Sequence, residues 1–459
     1  MANHQHKFEL VLFDVDETLL DSAMLKSYRE TGDREGLNHA LDGGGGTPYP
    51  GVKDTLIELQ EMGIQLGYVT ASPRWYASIL LKKYLPEIKW ITSVTYEDVE
   101  RQKPYPDGIK KALESLRSPI LPTRTLYIGD TPEDVEAGLH HGVATGLALW
   151  KHDMSDDSWP RLSYKSPSDS QKDIVEGFAK GPDYVLEAPE IILDIIRKPL
   201  DGLPFLESVA AMNGEAQLTK VPEKKNVLRF AKPNNEVVGI ALSRYFAQES
   251  VSHIHDRHNF SKLMLSAKDN GFQKSWIEAI AIYISRLIDF YKIDVVTVIP
   301  AKQGGLSRME RLADSVSQLL RSTSQTTFDP QQFTWVHGAQ SNKVLTAQDR
   351  LLNVREHMQH HHKAIDVRGK RVLVIDDIVT TGATFLRAKE ILKSYGAKEV
   401  LPLALATTCG YRFVPIEIKE CPWCGGEMII RTRKKDGKRF WGCKNWRKNG
   451  CTYTEDCHD

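Results

Sequence analysis

In the segment FDVDETLLDS an apolar run ends at Asp14, and Asp16 and Thr18 follow at once. Period-two spacing predicts that Asp14 and Asp16 point the same way at the carboxyl end of a strand. In an open α/β sheet that is the end where ligands bind. Two carboxylates held there repel unless a cation or a proton sits between them. Thr70 ends a second run in GYVTAS, Lys103 lies in RQKPYPD, and Asp130 and Asp134 follow a third run in YIGDTPEDVEAG. Together these supply a nucleophile, an acid/base, a hydroxyl, a cation and two carboxylates for a metal.

A second acidic strand end occurs in VLVIDDIVTTGAT, Val372 to Thr384. The backbone amides of Thr380, Thr381, Gly382, Ala383 and Thr384 are expected at a helix start, where small residues let an anion approach closely. Asp376 and Asp377 repel phosphate but suit the hydroxyls of a ribose, so a sugar 5′-phosphate fits both halves of the segment.

The third group is cysteine. All six cysteines lie after residue 400, with Cys421 and Cys424 in CPWCGG, then Cys443 and Cys451. Four thiolates in two knuckles match tetrahedral Zn²⁺, and so short a segment needs such a staple to fold. Between Cys421 and Cys451 nine Lys/Arg face two acids, an excess of seven positive charges. Trp423, Phe440, Trp441 and Trp446 interleave with Arg439 and Lys444. Aromatics among cations suit single-stranded DNA or RNA; the alternative is a structural ribbon with its aromatics buried.

The elements that must position these groups follow from periodicity. Residues 7–198 alternate apolar runs with helical patterns, which predicts a parallel sheet covered by helices. About 199–225 reads as a linker, 226–415 as a second alternating unit, and 416–459 as a Cys-rich tail. A polar, turn-rich loop is expected at 322–345. His253, His255 and His258, and then His360, His361 and His362, cluster in polar segments and read as surface histidines before metal ligands; Cys409 reads as a core or strand-end thiol. The chain has 459 residues, 41% hydrophobic and 26% charged, with zero formal net charge, so bulk charge does not make it a polyanion binder. No apolar run approaches a membrane span and no apolar secretory region opens the sequence, so a cytoplasmic protein without a membrane partner is expected.

Residues 7–198 resemble a haloacid-dehalogenase-type phosphatase, with all four of its motifs in order. The resemblance implies that Asp14 attacks phosphorus and forms an aspartyl phosphate, and that Asp16 serves as acid and then base. It also implies Mg²⁺ held by Asp14, the Asp16 carbonyl, Asp130 and Asp134, with Thr70 and Lys103 on the transferring oxygens. Many relatives carry a sizeable helical cap after the first motif. Here about 28 residues separate Ser22 from Gly51, four of them the glycines 43–46, and the short cap leaves room for a bulky or polymeric phosphate. Trp75 reads as a packed surface residue before a base-stacking one.

Val372–Thr384 is similar to the signature of type I phosphoribosyltransferases, and about 226–408, with RLLNV at Arg350–Val354, most resembles their ComF-like branch. That implies binding of Mg²⁺ and phosphoribosyl pyrophosphate (PRPP), and it makes Lys302 and Gly304, in AKQGG after the strand VVTVIP, candidates for the family's pyrophosphate loop. The Arg-Gly-Phe-Asn stretch of many ComF-like proteins is replaced by LSRMERLAD, where Arg308 and Arg311 either substitute or form a solvated face. The tail is similar to the C-terminal zinc finger of type IA topoisomerases. The fold expected is α/β, two Rossmann-like parallel-sheet domains plus a small zinc ribbon.

Joined in one chain, these units admit three readings. In one, a nucleotide enzyme makes or binds a 5′-phosphoribosyl compound and removes a phosphate from it. In another, the finger directs an end-processing phosphatase to DNA or RNA in repair, competence or defence. In the third, the ribosyl unit is a non-catalytic nucleotide sensor that gates the phosphatase.

Overall fold

The computed structural model describes residues 6–152, 176–212, 228–232, 237–302, 308–321, 325–336, 347–409, 421–424, 428–432, 439–443 and 450–456. Short apolar runs bounded by turns form the first sheet: β1 (Leu10–Phe13), β2 (Gln65–Val69), β3 (Trp90–Val94), β4 (Thr125–Gly129), β5 (Ala144–Ala148) and β6 (Tyr184–Leu186). Their order is β3-β2-β1-β4-β5-β6, and every pair is parallel. All four residues of β1 are buried, as a central strand covered on both faces requires. The chain leaves β1 toward β2 on one side and β4 on the other, so the strand order reverses beside β1 and opens a crevice at its carboxyl end.

Helices α1 (Lys26–Thr31) and α2 (Arg34–Asp42) fill the insert after β1. Leu25, Leu37 and Leu41 bury its apolar side. Helices α3 (Val52–Glu61), α4 (Arg74–Tyr84), α5 (Asp107–Glu114) and α6 (Pro132–His141) follow in chain order, interleaved with the strands. The start of α6 is set by Thr131 and Asp134, which cap each other reciprocally, with Pro132 at the first turn.

The second sheet contains β7 (Leu228–Lys232), β8 (Val237–Ala241), β9 (Arg244–Tyr245), β10 (Val295–Val298), β11 (Thr327–Phe328), β14 (Arg371–Val379) and β15 (Glu399–Thr408). The order is β11-β10-β14-β15-β8-β7, with β9 also on β15, and only the β7–β8 pair is antiparallel. The small pair β12 (Phe333–Trp335) and β13 (Met358–His360) is antiparallel. Strand β14 runs through Asp376 and Asp377 to Val379, because Asp376, Ile378 and Val379 pair with β15. The expected loop at 322–345 contains β11 and β12, and residues 337–346 lie outside the described residues.

Two differences from expectation have an apolar cause. Within the stretch expected to be a linker, Phe205–Ala211 is a helix that buries Phe205, Leu206 and Val209 in the core of the second sheet. One continuous core joins Val135, Leu139, Leu147 and Phe178 to Phe246, Ile254 and Phe385, so both sheets lie in one unit, Met1–Tyr411. The second unit, Arg412–Asp459, carries the antiparallel sheet β16 (Met428–Thr432), β17 (Arg439–Cys443) and β18 (Thr454–Asp456). Among the described residues no helix is long and apolar enough to cross a membrane.

Candidate functional site

Strands β1 and β4 are neighbours with Phe13 opposite Ile128, so the residues that leave them, Asp14 and Asp130, emerge side by side. Asp14 N–H donates to the Ile128 carbonyl at 2.8 Å, which fixes the turn. The first turn of α6 adds Asp134. These three buried carboxylates each offer an oxygen within 4.8 Å of the others. Gly129 makes this possible: a Cβ there would lie 2.2 Å from the Asp134 carboxyl carbon.

Lys103 Nζ stands 2.8 Å from Asp14 and 2.5 Å from Asp134. Tyr127 and Thr131 hydroxyls donate to Asp134 at 2.7 and 2.5 Å. Thr18 donates to Asp130 at 3.0 Å, and Lys151 Nζ lies 2.5 Å from its other oxygen. Burial pushes Asp14 up to about 8; Lys103 opposes this, while Asp134, Asp130 and Asp16 add to it. Burial likewise lifts Asp130 to about 6 against the pull of Lys151. Burial works against the charge on Asp134, yet Lys103 and its hydrogen bonds hold it below the usual carboxylate range. Three desolvated carboxylates with raised or contested charge fit a hard divalent cation with oxygen ligands such as Mg²⁺.

Asp16 is not a member of this cluster and has its own partners. It accepts from Ser22 Oγ at 2.7 Å, from Tyr76 at 3.1 Å and from Ser72 Oγ, and pairs with Arg29 at 3.2 Å. Both Asp14 and Asp16 follow β1, which stops at Phe13, so strand alternation does not set their directions; the chain turns there, with Glu17 at φ 58°. Thr70 is buried just past β2, and its hydroxyl accepts from the Ser72 N–H at 3.1 Å. Sequence reasoning missed Lys151 and Arg29; neither lies in a motif. Trp75 is covered by Arg34, 5.2 Å from its ring.

In the second sheet, Asp376 and Asp377 stand near the carboxyl end of β14, and Gly382 starts the helix Ala383–Ser394 at φ 77°, a left-handed conformation that glycine adopts without strain. Thr380 and Thr408 hydroxyls are 3.0 Å apart, tying the turn to β15. Thr381 Oγ1 accepts from the Ala383 N–H at 3.4 Å, and Thr384 continues that helix. Burial pushes Asp376 up to about 7, opposed by Arg308 and Lys302. Arg308 is no solvated face: its side chain is 11% exposed, is ion-paired with Asp377 and lies 5.8 Å from the Phe272 ring. Lys302 stands 4.9 Å over Trp335, and Gly304 lies outside the described residues.

In the second unit, Cys421, Cys424, Cys443 and Cys451 offer sulfurs within 4.8 Å of one another. Sulfur pairs 421–451 and 424–443 are 3.6 and 3.4 Å apart, near the ~3.8 Å edge of a tetrahedron with zinc–sulfur bonds of about 2.3 Å. Trp441 packs against the buried Cys421, Met428 and Cys443, whereas Trp423 is 69% exposed, 5.3 Å from Tyr453. Arg439 begins β17, and Lys444 and Trp446 lie outside the described residues.

The histidine clusters do not converge as metal sites among the described residues. They are not all on the surface either. His255 is buried with Nδ1 2.7 Å from the Phe246 carbonyl, His258 Nε2 is 3.0 Å from Glu207, and His360 stacks on Tyr395. Cys409 is a buried thiol just past β15.

Residues 34–148 match the family model for haloacid dehalogenase-like hydrolase, and residues 273–414 match that for phosphoribosyl transferase domain. Among curated proteins the chain is similar to "Pyrophosphatase PpaX" of Oceanobacillus iheyensis, 29% identical over 182 residues, 40% of this chain and 72% of that one. The protein of the same name from Anoxybacillus flavithermus is 35% identical over 127 residues, 28% of this chain and 55% of that one. The chain thus spans between about half and three quarters of these two relatives' length. Among solved structures, a putative beta-phosphoglucomutase from Thermotoga maritima is 21% identical, with a TM-score of 0.31 over 42% of this chain and 99% of that one. CbbY from Rhodobacter sphaeroides in complex with phosphate is 21% identical, with a TM-score of 0.26 over 31% and 86%. The chain therefore carries a haloacid dehalogenase-like hydrolase domain followed by a phosphoribosyl transferase domain.

Proposed function

We propose that the first domain is a Mg²⁺-dependent phosphoryl hydrolase working through an aspartyl phosphate, in one chain with a PRPP-binding phosphoribosyltransferase domain that acts on nucleotides. The observation that carries this reading is the buried cluster of Asp14, Asp130 and Asp134 with Lys103 bridging two of its members. Asp14 attacks phosphorus, and the bond to the leaving oxygen breaks. Asp16 gives that oxygen a proton, then takes one from the water that cleaves the aspartyl phosphate. Asp14, the Asp16 carbonyl, Asp130 and Asp134 would hold Mg²⁺, which would neutralise charge between carboxylate and phosphate. Thr70 and Lys103 bind the transferring oxygens.

In the second domain, Asp376 and Asp377 take the ribose hydroxyls, and the Thr380–Thr384 turn takes the 5′-phosphate. Lys302 and Arg308 reach toward the diphosphate. A phosphoribosyl transfer releases pyrophosphate, and the relatives of the first domain are named pyrophosphatases, so inorganic pyrophosphate is a substrate that links the two domains. The test is phosphate release with Mg²⁺ from inorganic pyrophosphate and from monoesters. Asp14→Asn is expected to lower release at least ~10³-fold on every substrate; turnover retained by that variant would falsify the nucleophile.

A second reading is that the four-cysteine zinc ribbon binds single-stranded DNA or RNA and brings phosphorylated strands to the hydrolase. It is supported by the exposed Trp423 beside Tyr453, in a segment with an excess of seven positive charges. Binding to a single-stranded oligonucleotide should weaken steeply with salt and lose ~1–3 kcal/mol in Trp423→Ala; salt-insensitive binding would reject it.

A further inference from the structure

The cations of the hydrolase site divide into two groups. Lys103 is tied to Asp14 and Asp134, and Lys151 to Asp130, so both serve the carboxylates that face the transferring phosphoryl group. Arg29 stands apart. It comes from α1 in the short insert, and it reaches Asp16 Oδ2 at 3.2 Å and Ser72 Oγ at 3.0 Å. Both contacts use Nη1. Among the described residues neither Nε nor Nη2 has a hydrogen-bond partner, and the side chain is 24% exposed.

Its placement is built rather than incidental. Leu25, buried four residues earlier, and Tyr28, packed on the core, set the rotation of α1, and residues four apart share a helix face. The guanidinium also lies 5.8 Å from the ring of the buried Tyr76, which itself donates to Asp16. The planar fork is therefore held beside the residue that serves the leaving oxygen, with two donor nitrogens left over. A guanidinium so presented matches the oxygens of a second phosphoryl group bidentately.

We infer that Arg29 is a specificity-determining residue that binds the leaving phosphoryl group of a diphosphate, so that the site prefers inorganic pyrophosphate to simple monoesters. This rests on the hydrolase reading above. Asp14 attacks one phosphorus, and the bond from that phosphorus to the bridging oxygen breaks with the electron pair left on the bridge. Asp16 protonates the bridge and orthophosphate departs, its anionic oxygens on Arg29. Water then attacks the aspartyl phosphate, Asp16 takes the proton, and a second orthophosphate leaves with Asp14 restored. A monoester's leaving group carries no second set of phosphoryl oxygens and makes no such demand on the cation.

The experiment compares the full-length protein with Arg29→Ala and Arg29→Lys, measuring initial rates on inorganic pyrophosphate and on p-nitrophenyl phosphate with Mg²⁺. Loss of the Asp16 contact slows both substrates in Arg29→Ala. The expected signature is in the ratio of kcat/KM values, pyrophosphate over monoester, which falls ~10- to 100-fold, as loss of a charged hydrogen bond implies. Arg29→Lys recovers part of that ratio. An unchanged ratio overturns the inference and leaves Arg29 as a residue that positions Asp16. Wild-type protein that cleaves the monoester but not pyrophosphate overturns the inference and the pyrophosphate link between the domains, while the hydrolase reading stands; wild-type protein that cleaves neither overturns the hydrolase reading itself.

Discussion

At the scale of single residues, the chemistry is set by how many charges the fold removes from water. Burial raises Asp14 to about 8, against the pull of Lys103, and so favours its protonated form in the metal-free protein. A divalent cation must displace that proton, so Mg²⁺ affinity should rise with pH, about tenfold per unit below 8 for one proton released. Isothermal titration in buffers of different ionisation enthalpy reads the proton directly; pH-independent affinity would contradict it. In the second domain, Arg308 pairs with Asp377 and opposes the raised carboxyl of Asp376. Arg308→Ala should weaken PRPP binding by about 1.5–3 kcal/mol, the range for a charged hydrogen bond. Calorimetric titration of PRPP with Mg²⁺ checks it, and unaltered affinity would return Arg308 to a structural role.

At the scale of elements, the hydrolase site depends on how closely α6 approaches the end of β4. Gly129 lets the Asp134 carboxylate lie against the strand, at distances where a methyl group cannot fit. Gly129→Ala should push Asp134 and the start of α6 outward. A displacement near ~1 Å costs on the order of 10²-fold in rate, so phosphate release should fall by about that factor while the apolar core of the first sheet persists. Rates together with thermal melting separate the two effects: a fully active Ala variant would show that Asp134 has slack. Much of this was legible in the sequence. Strand-ending acids, a Pro at the first turn of α6 and Gly382 before its helix are local signals with local causes. The exit from β14 was less legible, because pairing with β15 carries the strand beyond the two aspartates to Val379.

At the scale of the whole molecule, the two sheets are joined by a buried ionic cluster. Arg244 pairs with Glu207 at 2.6 Å and with Asp183, next to the first sheet, at 3.0 Å; it also donates to the Gly181 carbonyl at 2.9 Å. His258 adds a contact to Glu207 at 3.0 Å. Burial opposes the charge on Glu207, but Arg244 and His258 hold its carboxyl well below the usual range. A depressed carboxyl contributes stability that is fully present above its unfolded value, ~4.3, and is lost as pH falls below it. Glu207→Gln should therefore cost about 3–5 kcal/mol at pH ~7, the range for breaking a buried pair, with the gap to wild type narrowing below pH ~4. Urea unfolding at several pH values measures this; a gap that widens in acid would reverse the assignment.

The sequence by itself determined the α/β class, the order of the two domains, the acids at the strand ends and the cysteine knuckles. Those features rest on short-range periodicity and spacing, which a chain carries wherever it folds. Tertiary structure alone decided which cations meet which acids. Arg29 reaches Ser72 across 43 positions, Lys151 reaches Asp130 across 21, and Arg244 reaches Gly181 across 63. It also gave Asp16 the Ser22 hydroxyl as a partner, buried His255, drew His258 onto Glu207 and made part of the expected linker a core helix. Such pairings depend on which helix faces the packed core leaves pointing inward, and that is a property of the assembled layers rather than of any one segment.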